Sequence, residues 1–292
     1  MSNFRGEILK HGDTGYENAR KVWNGMIDRH PALIVRCMGA ADVVDAVRFA
    51  REHNLLVSIK GGGHHASGRA VCDGGLMIDL SMMRSIHINV HDRSARAEAG
   101  ALLGDLDRES QAFGLAVPAG TVSETGIAGL TLGGGFGWLS RQHGLTCDNL
   151  ISADVITADG EFVVANATEN ADLFWGLKGG GGNFGIVTSF NYQAHPVGPM
   201  VLAGSIFHSL DQARSLHDFF REFVVNLPEE VGTISSFVSI PASPDFPARL
   251  HGKKAASISV CYAGDIEEGR RILGPLSEYG SPLLDTIKPT PF

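Results

Sequence analysis

Residues 60–68 read Lys60-Gly61-Gly62-Gly63-His64-His65-Ala66-Ser67-Gly68, three consecutive glycines that end on two imidazoles. Glycine lets the backbone approach a ligand closely, and an imidazole that is largely neutral near pH 7 offers a free nitrogen. The stretch is therefore predicted to be a place where a ligand meets bare main chain. The residues alone leave a structural turn, a metal site and a nucleotide loop open.

The flanking sequence predicts that this stretch follows a β-α-β unit. Val43, Val47 and Ala50 fall on one face of a helix between two apolar, β-prone runs. The predicted strands of this part are residues 31–37, 55–60, 75–80, 87–90 and 94–99. The last two strands form a hairpin, so antiparallel pairing enters the fold here. The predicted helices are residues 41–53 and 102–113, and small residues dominate a long stretch over 118–137.

The sequence of the second half of the chain predicts another hairpin, and its glycine content then falls. Asp159-Gly160 joins strands over 151–157 and 161–164, because Asp-Gly is a strong hairpin signal. Asn170 is predicted to cap a short helix that ends at a third glycine cluster. The remaining predicted elements are a strand over 186–190, a helix over 210–225, and strands over 234–240 and 256–263. Glycines thin out near residue 197, which predicts domains over 1–197 and 198–292.

Composition points to a globular protein that handles a small molecule. The chain has 292 residues, 43% hydrophobic and 19% charged, with 37 glycines and a net charge of −8. A negative chain without clustered Lys and Arg argues against nucleic-acid binding. The absence of an apolar leader or an 18-residue apolar run predicts a cytoplasmic protein with no membrane partner. Four scattered cysteines suggest neither a zinc site nor a disulfide framework, which fits a reducing compartment.

Two glycine clusters match a dinucleotide fingerprint but lack its context. Gly61-x-Gly63-x-x-Ala66 and Gly180-x-Gly182-x-x-Gly185 have the spacing, yet neither is followed by a helical pattern that could face a pyrophosphate. A P-loop is excluded because its lysine and hydroxyl motif is missing. A shared metal at the two histidines is disfavoured, because adjacent side chains on extended backbone point opposite ways. No metal site is predicted.

Three glycine clusters in one chain favour a ligand over three idle turns, because glycine in a fixed conformation costs backbone entropy. Successive backbone amides form nests that bind anions without any lysine. Clusters in three separate loops therefore predict one extended, anionic ligand. A dinucleotide has the matching length.

Five segments together resemble the FAD-linked oxidases, in the berberine-bridge-enzyme-like and 6-hydroxynicotine-oxidase-like branch of the vanillyl-alcohol oxidase superfamily. The segments are residues 61–64, 118–121, 133–141, 144–149 and 173–185. The resemblance implies an α+β fold, with an FAD-binding domain in two subdomains that holds FAD extended. A substrate domain built on an antiparallel sheet is implied to follow. That domain is incomplete here, because family members run on past Phe292.

The resemblance also implies a covalent cofactor. The family histidine that ends the glycine motif bonds to the 8α-methyl carbon of the flavin, and the matching residue is His64 rather than His65. Some members carry a second link from a cysteine whose position here falls at about Val122, so a single covalent bond is expected. Cys147 is expected to be a buried small hydrophobe. No catalytic residue is assigned, and the expected cofactor-binding residues are Gly61, Gly62, Gly63, His64, Ser67, Pro118, Gly120, Thr125, Gly126, Gly129, Gly133, Gly134, Gly135, Val155 and Val187.

The implied activity is that of an FAD-dependent oxidase. Hydride passes from an alcohol, amine or sugar substrate to the flavin, and dioxygen or another acceptor reoxidises it. The alternative is a catalytically inactive flavin-binding fragment that needs a missing C-terminal segment or a partner chain. A sheet interrupted at residue 292 would leave an edge strand and an apolar face exposed, which predicts poor solubility or self-association.

Overall fold

The computed structural model describes residues 4–292, which divide into two compact units. The first unit runs to Gly137 and continues over Gly144–His195. The second unit contains Trp138–His143 and Pro196–Phe292. Several antiparallel sheets and short helices make up the chain, so the predicted α+β fold is confirmed.

The first sheet of the first unit carries the glycine-histidine stretch. Its strands are β1 (Glu7–Leu9), β2 (Leu33–Arg36), β3 (Val57–Lys60) and β4 (Leu76–Asp79), in the order β1-β2-β4-β3. Strands β2 and β3 both run parallel to β4, and α2 (Ala40–Glu52) crosses between them. Helix α2 buries Val43, Ala46, Val47 and Ala50 on one face. The predicted β-α-β unit is confirmed, with β4 inserted between its two strands.

The second sheet of this unit is antiparallel throughout. Its strands are β5 (Ile86–Asn89), β6 (Ser94–Glu98), β8 (Leu150–Ile156), β9 (Phe162–Asn166) and β10 (Ile186–Gln193), in the order β5-β6-β10-β8-β9. Both predicted hairpins are present, as β5 with β6 and as β8 with β9. Small side chains such as Ala95, Ala97 and Ala165 are fully buried beside Phe190 and Tyr192. Two short strands lie outside both sheets, β7 (Leu115–Ala116) and β11 (His195–Pro196).

Helices fill the connections, and one of them was not expected. The helices of this unit, besides α2, are α1 (Tyr16–Ala19), α3 (Leu103–Gln111), α4 (Ile127–Leu132) and α6 (Ala171–Leu177). Helix α4 lies within the stretch of small residues over 118–137, where no helix is predicted from the sequence. Asn170 occupies the N-cap of α6 as predicted, but its side chain makes no capping hydrogen bond. Its Nδ2 instead donates to the carbonyl of Val164.

Asp107 on α3 is a carboxyl group that burial makes costly to ionise. Within residues 4–292 its side chain makes no hydrogen bond, and burial raises its pKa to about 6. An unfolded Asp titrates near pH 3.9, so the cost of ionising Asp107 in the folded protein is absent at low pH and grows as pH rises to about 6. The contribution of Asp107 therefore lowers the free energy of unfolding on going from pH 4 to pH 7.

An Asp107→Asn variant is expected to be more stable than the parent by about 1–2 kcal/mol at pH 7.5, with no gain at pH 4. Urea unfolding at the two pH values measures this difference. Glu109→Gln on the exposed side of the same helix is the matched control and is expected to change little at either pH. An equal gain for D107N at both pH values would contradict the assigned ionisation penalty.

The second unit is an antiparallel sheet covered by two helices. Its strands are β12 (Met200–Ser209), β13 (Val231–Ser239), β14 (Lys254–Tyr262), β15 (Leu284–Asp285) and β16 (Lys288–Pro291), in the order β13-β14-β12-β15 with β16 also paired to β12. The helices are α5 (Ser140–His143), α7 (Ala213–Phe223) and α8 (Ile266–Glu278). Leu216 of α7 and Leu273 of α8 join one core cluster with Ile206 and Ile258 of the sheet.

Four 3-10 turns complete the assignment: Thr146–Asn149 in the first unit, and Leu210–Gln212, Val224–Asn226 and Ala248–Leu250 in the second. The predicted helix over 210–225 is thus α7 with a 3-10 turn at each end. Helix α5 is fixed to its own unit by Arg141, whose guanidinium donates to the carbonyls of Val231 and Leu227 at 3.0 Å each. Across residues 4–292, no helix combines the length and apolar character needed to cross a membrane.

Candidate cofactor site

The three glycine clusters meet at α4, the helix within the stretch of small residues over 118–137. Gly126, the N-cap of α4, lies against Gly62 of the first cluster, and Gly133 of the second cluster is its C-cap. The third cluster is joined through the amide of Gly181, which donates to the carbonyl of Leu132 at 2.8 Å. The structure therefore brings together most of the residues expected to bind the cofactor, from three distant parts of the chain.

The first contact at α4 is possible only between two glycines. A Cβ on Gly62 would lie 2.5 Å from the Cα of Gly126, and a Cβ on Gly126 would lie 2.7 Å from the Cα of Gly62. Both neighbours are backbone atoms, so neither can move aside as a side chain could. The close approach explains why each position holds glycine.

Two buried hydroxyl groups near the glycine loops have no hydrogen-bond partner among residues 4–292. They are Oγ of Ser58, on the strand that enters the first cluster, and Oγ1 of Thr146. Thr146 is 2% exposed, and its amide donates to the carbonyl of Gly135, a residue with φ of 76°. A buried hydroxyl without a partner costs about 1–3 kcal/mol, so the Thr146 hydroxyl is suited to a polar ligand. Ser58 alternates with Val57 and Ile59 along β3, so its hydroxyl faces the other side of the sheet from theirs.

His64 is half-buried, and its ring is contacted on two sides. Its Nδ1 lies 3.4 Å from Oγ1 of Thr125, and its ring stacks on that of Trp23 with centroids 5.6 Å apart and planes 22° apart. His65 is exposed and engages Ser67 instead, whose amide and Oγ lie 3.2 and 2.9 Å from its Nδ1. The two neighbouring histidines thus have separate environments.

An apolar cavity of about 350 Å³ lies beside the strand that leads into the first cluster. Its walls come from the end of α2, from β3, from the β8 end and from the third glycine cluster. The lining residues include Val57, Ile59, Ile156, Gly182, Gly185 and Ile186. Val155 and Val187, the residues expected near the adenine, are buried and pair with each other across β8 and β10. Val155 directly precedes the lining residue Ile156, and Val187 directly follows the lining residue Ile186. The cavity has the size and character for a planar heteroaromatic group.

The remaining expected residues are distributed around the same region. Pro118 is buried, and a Cβ on Gly120 would lie 2.7 Å from a side-chain carbon of Leu130 on α4. Val122 is 50% exposed, so the position where some relatives of the resembled family carry a cysteine is accessible here. Cys147 is buried as expected, and burial raises the pKa of its thiol.

Residue patterns did not identify Trp23 or Thr146 as parts of this site. Trp23 lies outside the five segments of the family resemblance, and Thr146 lies in one of them, but a single hydroxyl residue carries no spacing signal. The rejection of a Rossmann arrangement agrees with the observed backbone, because residues 61–75 contain neither helix nor strand, and β10 follows Gly185 directly.

Comparison with known proteins identifies the class. Residues 31–166 match the family described as FAD binding domain. The (R)-6-hydroxynicotine oxidase of Paenarthrobacter nicotinovorans is 32% identical over 98% of this chain and 61% of its own length. The crystal structure of 6-hydroxy-D-nicotine oxidase from Arthrobacter nicotinovorans superposes with a TM-score of 0.90 and 31% identity, over 99% of this chain and 62% of that chain.

A third relative is informative about cofactor attachment. Glucooligosaccharide oxidase from Acremonium strictum, described with a 6-S-cysteinyl, 8α-N1-histidyl FAD, has a TM-score of 0.82 and 26% identity, over 98% of this chain and 59% of that chain. The present chain thus spans about three fifths of the length of these relatives. Over nearly all of its length it is similar to FAD-linked oxidoreductases, among them 6-hydroxynicotine oxidase and a berberine-bridge-like protein.

The residues present fit FAD. Backbone at Gly62 and Gly126 is free of side chains, the buried hydroxyl of Thr146 has no partner among residues 4–292, and an added Cβ on Gly129 or Gly182 would meet nothing within 4 Å. The apolar cavity suits the adenine, and the amides of the glycine loops suit the pyrophosphate.

Proposed function

We propose that this chain is the flavin-binding part of an FAD-dependent oxidase, with residues 1–197 binding FAD and residues 198–292 contributing to the substrate site. The observation that carries this proposal is the convergence of three glycine clusters on α4, next to an apolar cavity and the unpartnered hydroxyl of Thr146. Nothing in the comparisons favours the alternative of an inactive flavin-binding fragment.

The role proposed for each residue depends on which part of an extended FAD molecule it would contact. The amides of Gly61, Gly62 and Gly63, with Ser67, hold the pyrophosphate, and Val155 and Val187 lie at the adenine end. The residues that follow the phosphate and ribityl region are Pro118, Gly120, Thr125, Gly126, Gly129, Gly133, Gly134 and Gly135. Support comes from their common position around α4.

His64 carries the flavin in this proposal through one covalent bond. A nitrogen of His64 would bond to the 8α carbon of the flavin, with one proton lost from that carbon and one from the imidazole N–H. Bound FAD would supply the acceptor for the two electrons, and dioxygen would take them up with the two protons as hydrogen peroxide. The histidyl link of the Acremonium strictum relative supports this assignment. Val122 in place of a cysteine supports a single link.

Bound FAD supplies a hydride acceptor, and the protein supplies position and surroundings. The glycine loops hold the cofactor through backbone amides, and His64 fixes one end of its ring. The substrate is an alcohol, an amine or a sugar, in keeping with relatives named for a hydroxynicotine and a glucooligosaccharide. Dioxygen or another acceptor takes up the electrons.

Two further properties belong to this proposal. The four cysteines are all free and buried, which fits a reducing, cytoplasmic compartment. Strand β13 is an edge of its sheet and exposes Phe237, 66% accessible, and Ile234, which supports self-association.

The activity is tested by supplying the chain with FAD and a panel of alcohols, secondary amines and oligosaccharides, and by measuring hydrogen peroxide. Peroxide production with one substrate class is expected. Retention of FAD without peroxide from any class, under conditions where an intact oxidase of the family is active, would contradict the oxidase assignment for this chain.

Gly129→Ala is expected to change stability and cofactor binding in opposite directions. Alanine in the interior of α4 stabilises the cofactor-free protein by about 0.5–1 kcal/mol, because the added Cβ meets no protein atom within 4 Å. The same methyl group occupies space assigned to FAD, so affinity is expected to fall about tenfold or more. Thermal unfolding and flavin fluorescence titration, both in a His64→Ala background, measure the two effects. Unchanged affinity would place Gly129 outside the cofactor contact.

A further inference from the structure

A segment near the N-terminus, residues 19–24, crosses the glycine-histidine stretch and is fastened to it at three points. Nζ of Lys60 donates to the carbonyl of Ala19 at 2.7 Å, and the amide of Trp23 donates to the carbonyl of Gly63 at 3.0 Å. Nδ2 of Asn24 donates to the carbonyl of Ala66 at 2.7 Å. We name residues 19–24 the N-terminal strap.

These three bonds fix the strap on both sides of His64. The first two lie before the histidine in the loop, and the third lies after it. The bonds from Trp23 and Asn24 hold the backbone of Trp23 beside the loop, and the indole stacks on the imidazole from there. Trp23 nevertheless remains 66% exposed, so the apolar burial that usually holds an indole is mostly absent. Its contact with His64 therefore stands out as the main ring interaction of Trp23.

The imidazole of His64 is thus restricted by two neighbours from different parts of the chain. The indole of Trp23 stacks nearly parallel to it, at 22°, and the hydroxyl of Thr125 lies 3.4 Å from Nδ1. A stacked neighbour sets the plane of a ring, and a hydrogen-bond partner at one nitrogen sets its rotation within that plane. Together the two contacts hold the ring in one orientation.

We infer that Trp23 is a positioning residue for covalent attachment of the flavin, because it holds the His64 imidazole in the orientation for bond formation. The inference rests on the proposed covalent link at His64. Bond formation requires the attacking nitrogen to be aligned with the carbon, and holding both in place removes an entropy cost from the barrier. The indole itself exchanges no proton and no electron in this step.

The test compares the rate of covalent attachment among variants of the 292-residue chain. Each protein is prepared free of flavin and mixed with FAD under air, and covalent flavin is followed by fluorescence after denaturation and by intact mass. Trp23→Leu is expected to slow attachment about two- to tenfold, the factor for loss of one aromatic pair. Trp23→Phe keeps a stacking ring and is expected to stay within about twofold of the parent.

Two controls separate positioning from folding. Trp175 is another tryptophan of the same unit, 81% exposed and on α6, and Trp175→Leu is expected to leave the attachment rate unchanged. The reversible affinity of W23L for FAD, measured in a His64→Ala background, is expected to match that of His64→Ala alone. A loss of affinity equal to the loss of rate would show a general defect of the site and overturn the inference.

The remaining outcomes test the covalent link at His64 and the positioning role of Trp23 separately. If the parent attaches flavin and W23L attaches it at the same rate, Trp23 has no positioning role while the covalent link stands. If the parent attaches no flavin at all, the covalent link fails and the inference fails with it. A slow W23L with a W23F close to the parent is the result that supports the inference.

Discussion

A His64→Ala variant is expected to carry no covalently bound flavin, whereas the parent chain keeps its flavin after denaturation. His64 ends the first glycine cluster, lies between Trp23 and Thr125, and is the histidine aligned with the family's point of attachment. Removing the imidazole removes the only nucleophile proposed to form the bond. Fluorescence of the denatured protein and the mass of the peptide containing residue 64 measure the effect.

His65→Ala is the matched control for this prediction. His65 is adjacent in sequence and also an imidazole, but it is exposed and interacts with Ser67. H65A is expected to keep the covalent flavin in full. Covalent flavin in H64A, or its loss in H65A alone, would contradict the choice of His64.

Gly62→Ala is expected to destabilise the protein by about 3 kcal/mol, a large effect for one methyl group. The added Cβ would lie 2.5 Å from the Cα of Gly126, and relief requires the backbone of the loop or of the α4 N-cap to move. The same movement would separate the first and second glycine clusters, so FAD binding is expected to fall as well. Urea unfolding and a flavin titration measure the two losses.

Gly25→Ala serves as the control for this substitution. Gly25 lies in a loop of the same unit, and an added Cβ there meets nothing within 4 Å. Its free energy of unfolding is expected to stay within about 0.5 kcal/mol of the parent. A Gly62→Ala protein as stable as Gly25→Ala would show that the loop can yield, and that the close approach does not constrain the site.

Elements with a strong local pattern were predictable from the sequence, and those that depend on distant contacts were not. Helix α2 and the two hairpins of the second sheet have clear periodicity or an Asp-Gly turn, and the structure confirms them. Helix α4 is six residues long and contains Gly129, so propensity and periodicity carry almost no signal for it. Strand β12 was missed although it is central to its sheet, because its pairing partners lie far away in sequence.

The candidate site shows the same division. Glycine clusters can be found by inspection, and the resemblance gave the residues of the flavin motif. The meeting of those clusters at α4 depends on backbone contacts such as Gly62 with Gly126, which no spacing encodes. Thr146 is an ordinary hydroxyl residue in the sequence, and only burial without a partner distinguishes it.

The contact between Gly62 and Gly126 also has a consequence for the nascent chain. On the ribosome, the first glycine cluster appears about 60 residues before the glycine that packs against it, a delay of about 3–12 s at usual rates of synthesis. Strand β3 likewise lacks β4, with which it pairs, until residues 76–79 have been made. Until α4 emerges, His64 sits on an unfinished loop. Flavin loading is therefore expected to begin only after the first unit has left the exit tunnel well past residue 126.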